Sequence, residues 1–141
     1  INKAKEKEVS ERYVKELATK TPSGDQLVVN LSGGNQQKAL LGKWMFTEPD
    51  ILILDEPTSG LDPFSRDELL DIFAELKDRG VSILFSTHIT SDIEKCADDI
   101  MYIRNGSLVA NCSKDDFIKN ICEAGESIEQ AILRLERRAS V

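Results

Sequence analysis

Two periods of apolar spacing run along the chain. Val9, Tyr13 and Leu17 recur at every fourth position, with Val14 beside them and charged residues between. That spacing predicts an amphipathic helix over roughly residues 4–20. Thr21-Pro22-Ser23-Gly24-Asp25 is turn chemistry and ends it. Gln26 to Asn30 is expected to be a short extended connector. Leu40 with Trp44 and Leu41 with Met45 then pair at i, i+4, so a helix is expected directly after Lys38 and up to the Thr47-Glu48-Pro49-Asp50 break. Ile51-Leu52-Ile53-Leu54 is a different pattern, an unbroken apolar run. It reads as a strand buried on both faces, as in a parallel sheet. Pro57 cannot donate a ladder hydrogen bond, so the strand should stop near Glu56.

Helical spacing returns from about Ser65 to Lys77, with Leu69, Ile72, Phe73 and Leu76 on one face and Arg79-Gly80 closing it. Val81 to Phe85 is a second strand, ending in Ser86-Thr87-His88. Strand, helix and strand together fit a right-handed parallel crossover. A short helix from about Thr90 to Ala97 follows. Asn105-Gly106 between Ile100 to Arg104 and Ser107 to Ala110 is a strong hairpin signal. Ser113 can cap a helix carrying Phe117, Ile118 and Ile121, and Ser127 with Gln130 forms a capping box that opens a last helix.

Composition narrows the function. At 141 residues the chain can bury one core. Acids outnumber bases 25 to 18, a net charge of -7, and there is no basic stripe to meet nucleic-acid phosphates. No apolar run approaches the roughly 20 residues that span a bilayer. Cys96, Cys112 and Cys122 lack metal-ligand spacing and read as reduced thiols. The first residue is Ile1 rather than Met, so the chain is expected to be a piece of a longer one.

The candidate chemistry gathers at three places. Asp55 and Glu56 fall at the carboxyl end of a buried strand, where open α/β sheets place their ligands. Two adjacent acids there suit a hard divalent cation with phosphate oxygens; the plain alternative is an acid pair in an exposed loop. In Leu31-Ser32-Gly33-Gly34-Asn35-Gln36-Gln37-Lys38 the glycines allow close backbone approach. Ser32 sits near a helix amino end, where free N–H groups and the helix dipole favour anions. It reads equally as an ordinary serine cap. His88 is the only histidine and lies just past a strand end.

Together these stretches resemble the ATP-binding cassette ATPases of membrane transporters. Leu31 to Lys38 resembles their signature motif and Ile51 to Glu56 their Walker-B strand. Ser59-Gly60-Leu61-Asp62 resembles the D-loop, and His88 the switch histidine. Residues up to about 50 look like the second cassette of monosaccharide importers. From about residue 55, Ile83 to Asp92 most clearly, they look more like ABC-2-type exporters. A natural mosaic or an artificial joining would each give that pattern.

The resemblance implies an α/β fold: part of a P-loop NTPase, with a parallel sheet flanked by helices, a small helical subdomain and a terminal β-hairpin. Its segments would be a helical subdomain at 1–48, half of the catalytic sheet at 49–112 and carboxyl-terminal helices at 113–141. It implies an ATPase using ATP and Mg²⁺. Asp55 would hold the metal, and Glu56 would serve as general base. His88 would contact the γ-phosphate. Ser32, Gly33, Gly34 and Asn35 would contact ATP held by a partner cassette, and Asp62 would couple the two sites. The implied partners are a second cassette and transmembrane permease subunits at the cytoplasmic face of the membrane, with no nucleic acid. A non-transport cassette or an inactive dimerisation fragment is the alternative. No G-x-x-x-x-G-K-[ST] phosphate loop occurs in the 141 residues. The chain alone is therefore expected to bind and hydrolyse ATP poorly, and its unpaired strand edge invites self-association.

Overall fold

Residues 3–139 are described in a computed structural model. They form two compact units, divided between Thr87 and His88. In the first, β1 (Ile51–Asp55) and β2 (Ser82–Ser86) pair in parallel, from Ile51 opposite Ser82 to Asp55 opposite Ser86. The crossover between them is α3 (Pro63–Asp78), so the expected strand–helix–strand unit is present. Alternation along a strand puts Leu52 and Leu54 on one face with Ile83 and Phe85. Leu69, Leu70, Ile72, Phe73 and Leu76 of α3 are buried, and the Phe73 and Phe85 rings meet at 5.9 Å between centroids.

The expectation of a strand buried on both faces fails. Ile51 and Ile53 are 63% and 76% exposed. Among the described residues β1 pairs with β2 alone, and α3 covers the other face. An apolar run therefore sits in a sheet that is dry on one side only.

Two further helices complete this unit, α1 (Lys3–Glu16) and α2 (Gly33–Met45). The first stops short of the expected residue 20, because Ala18 turns left-handed at φ 47° and the chain folds back at buried Leu17. Gly42 lets α2 come close: a Cβ there would lie 3.2 Å from Leu17 Cδ1 and 3.3 Å from Tyr13 Cβ. Gln26 to Asn30 is not extended as expected. Val28–Asn30 forms a 3-10 turn, with the Asn30 N–H donating to the Leu27 carbonyl at 3.0 Å. Lacking a neighbouring strand, this backbone pairs with itself. Helix α2 begins at Gly33, earlier than expected. Its inner face is Leu41 and Met45, whereas Leu40 and Trp44 face solvent.

The second unit holds α4 (Thr90–Cys96), the antiparallel pair β3 (Asp99–Arg104) and β4 (Ser107–Ser113), α5 (Lys114–Asn120) and α6 (Ile128–Ala139). Asn105 and Gly106 carry φ 48° and 73°, as a type I′ hairpin turn requires. Ile100, Phe117 and Ile128 form the core. Ser113 Oγ accepts from the Asp116 N–H at 3.1 Å. Ser127 and Gln130 close the expected capping box at 2.9 and 3.2 Å. Arg134, midway along α6, donates back to Glu126 and to the Ile121 carbonyl, at 2.8 and 2.7 Å. The three cysteines are free thiols.

The one-sided sheet makes a testable contrast. Leu76→Ala, deep under β1 and β2, should destabilise by about 2–5 kcal/mol, and Ile53→Ala on the open face by less than about 0.5 kcal/mol. Urea midpoints measure both, and equal losses would contradict the one-sided packing.

Candidate functional site

Asp55 is the last residue of β1, and the parallel register sets Ser86, the last residue of β2, beside it. Ser86 holds the Asp55 carboxylate and the Glu56 backbone. Its hydroxyl donates to Asp55 Oδ1. The Glu56 N–H donates to the Ser86 carbonyl at 3.1 Å and to its Oγ at 3.2 Å. Glu56 adopts φ 46°, a left-handed conformation that a non-glycine residue takes up at a cost and that recurs at functional sites. Behind it Pro57 and Thr58 are buried, and the Ser59 N–H donates to the Glu56 carbonyl at 3.1 Å. Glu56 is half-buried at this packed turn, while Asp55 stays exposed.

Mg²⁺ characteristically takes one or two carboxylates and fills its remaining positions with phosphate oxygens and water. Exposed Asp55, steadied by Ser86, fits that demand. Among the described residues no group of three or more His, Cys, Asp or Glu could hold a metal by protein ligands alone.

Asp62 caps α3. Its Oδ1 accepts from the Phe64 and Ser65 N–H groups at 3.1 Å each, and Pro63 starts the helix with a φ already suited to it. The Ser65 hydroxyl, then the Ser65 and Phe64 amides, hold its carboxyl below the usual aspartate range.

Ser32 and Gly33 are exposed at the amino end of α2, and Gly34 is buried. Ser32 stands in the N-cap position but makes no side-chain cap, so it is not the ordinary serine cap. Instead its Oγ accepts from Asn35 Nδ2 at 2.8 Å, while Asn35 Oδ1 accepts from the Lys20 N–H at 2.7 Å. Gln36 Nε2 donates to the Leu31 carbonyl at 2.8 Å. A Cβ on Gly34 would lie 2.6 Å from Ser65 Cβ, so only glycine fits against α3 there. His88 follows β2 by two residues; it is the first residue of the second unit, and its side chain is exposed.

The structure thus joins Asp55 to Glu56 through Ser86, and Ser32 to Asn35. Two residues escaped the sequence reading. Ser86 had a faint signal, a polar residue ending an apolar strand. Lys38 had a clearer one: it lies three residues before Leu41 and seven before Met45, on the inner face of α2.

Comparison with known proteins bears on this arrangement. A family profile described as "AAA domain, putative AbiEii toxin, Type IV TA system" matches residues 7–91. The chain is 39% identical over 116 residues to the ribose import ATP-binding protein RbsA of Clostridium tetani, covering 82% of this chain and 23% of that protein. It is 38% identical over 118 residues to the arabinose import ATP-binding protein AraG of Rhizobium meliloti, covering 83% and 23%. The chain therefore spans about a quarter of the length of these relatives. An alignment of that size also runs well past residue 50, so likeness to sugar importers is not confined to the first segment. Among solved structures, an ATP-binding subunit of an ABC transporter superposes with TM-score 0.74 at 29% identity, over 92% of this chain and 55% of that one. An ABC-transporter cassette in its ADP conformation gives 0.73 at 24% identity, over 89% and 49%, a likeness of fold.

The cap on α3 predicts a pH effect. With its folded pKa depressed, Asp62 contributes stability above the usual aspartate range and loses it as pH falls through the folded value. Asp62→Asn should flatten that part of the acid limb in urea titrations between neutral pH and the lower carboxylate range. An unchanged limb would contradict the assignment.

Proposed function

The chain belongs to the ATP-binding cassettes of ABC transporters, and from that premise we propose that it supplies the hydrolytic half of a cassette that couples ATP hydrolysis to transport. The observation that carries this reading is the carboxyl end of the parallel pair, where Ser86 clamps Asp55 and Glu56 together. Asp55 would hold the metal, which would neutralise charge on the phosphates. Glu56 accepts a proton from the attacking water, or orients it, and its left-handed backbone sets the direction of its side chain. His88 contacts the γ-phosphate.

Ser32 and Gly33 close over ATP held by a second cassette, through the amino end of α2, while buried Gly34 seats that end against Ser65. Asn35 serves this contact from behind, by holding the Ser32 hydroxyl. Asp62 couples the two sites. Phosphoryl transfer is mostly positioning and charge stabilisation, which suits a site built of clamps and caps.

The sugar-import relatives favour transport over a non-transport cassette, and a sugar cargo for the whole protein. Permease subunits and the cytoplasmic face of the membrane are the matching partner and place. No described helix is long and apolar enough to cross a membrane.

In the full-length protein, Glu56→Gln should slow ATP hydrolysis by roughly 10²–10⁴, the range for a general base, while ATP-driven pairing of cassettes persists. A rate within about threefold of the parent would remove Glu56 from this role. The 141-residue chain alone should also associate through the open side of β1, where Ile51 and Ile53 stand exposed. Light scattering at high concentration tests this, and a monomer throughout would refute it.

A further inference from the structure

Lys38 is only 2% exposed, though it carries a charge. Its ammonium donates to Glu68 Oε2 at 2.9 Å and reaches the Ala18 carbonyl at 3.5 Å. A buried ammonium persists only when paired and hydrogen-bonded. This one closes a seam between α2 and α3. At the near end a Cβ on Gly33 would lie 3.4 Å from Leu61 Cδ2; next, Gly34 sits against Ser65 with no room for a methyl group. One turn further, Lys38 meets Glu68. Gly34 and Lys38 are spaced i, i+4 on α2, and Ser65 and Glu68 i, i+3 on α3, so each helix offers one stripe, with Leu61 just before α3. Asp62, exposed, caps the amino end of α3, and Ser32 stands at the amino end of α2.

We infer that Lys38 is a positioning residue: acting through Glu68, it fixes the axial register of α2 on α3, so that the Ser32 and Asp62 ends form one rigid surface. The inference rests on the proposed reading that these ends meet a partner cassette. Close glycine contacts hold two helices together but allow sliding along the stripe. A charge-assisted hydrogen bond is directional and prefers one register. Holding register is also the best-attested use of a buried charge, since apolar residues of similar size often give equal stability.

That difference provides the test. In the full-length protein carrying Glu56→Gln, Lys38→Met with Glu68→Leu fills the seam without the charges. The urea midpoint should hold, and Mg-ATP affinity of the separate subunit should stay within about twofold. Mg-ATP-driven dimerisation should weaken at least about tenfold, a loss of roughly 1.4 kcal/mol. Amide hydrogen exchange at residues 33–38 and 61–66 should quicken together. A variant of full stability with unchanged dimerisation and exchange overturns the inference. If Glu56→Gln alone gives no dimer with Mg-ATP, the proposed function fails instead, and the exchange comparison still decides the role of Lys38. Should the double variant unfold, Lys38→Met alone, which leaves a Glu68 side chain already 31% exposed, carries the same comparison.

Discussion

The parallel register of β1 and β2 is the constraint on which the rest depends. It brings Ser86 beside Asp55 at the sheet's carboxyl end, and one hydroxyl then bonds both the Asp55 carboxylate and the Glu56 backbone N–H. A slip of one residue would turn Ser86 toward α3 and Asp55 away from it, since side chains alternate across a strand. Burial of Leu52 and the Phe73–Phe85 contact oppose that slip. The same apolar packing that holds the strands therefore aligns the polar end.

A second constraint runs through α3. Its apolar face packs under the sheet, its amino end is capped by Asp62, and its flank receives α2. Three jobs fall on one 16-residue helix. Glycine at position 34 brings α2 close, and Lys38 balances its own burial against Glu68. The two segments proposed to meet a nucleotide are mounted on this helix rather than on free loops, as precise positioning asks.

The open side of the sheet is the counterpart. Ile51, Ile53 and Leu84 remain exposed, and β1 has one strand neighbour among the described residues. An unbroken apolar run is characteristic of strands covered on both faces. Its exposure here accords with a chain spanning about a quarter of its relatives' length.

The sequence by itself determined the element order, the parallel crossover, the hairpin at Asn105-Gly106 and the caps at Ser113 and Ser127. These follow from short-range chemistry: apolar period, turn residues with positive φ, and side chains that bond their own neighbouring backbone. It also marked Asp55 and Glu56 as a pair at a strand end. Three things lay beyond local pattern. The strand proved dry on one face only, because burial depends on what packs against it. Leu40 and Trp44 turned outward although their spacing matched the buried pair, because Gly34, Lys38 and Gly42 let the opposite face approach its neighbours. Ser86 joined Asp55 and Lys38 joined Glu68 across about thirty residues of chain. Only tertiary structure decides such partnerships, since a hydrogen bond or an ion pair depends on distance in space, and sequence separation leaves that distance open until the sheet and helices are packed.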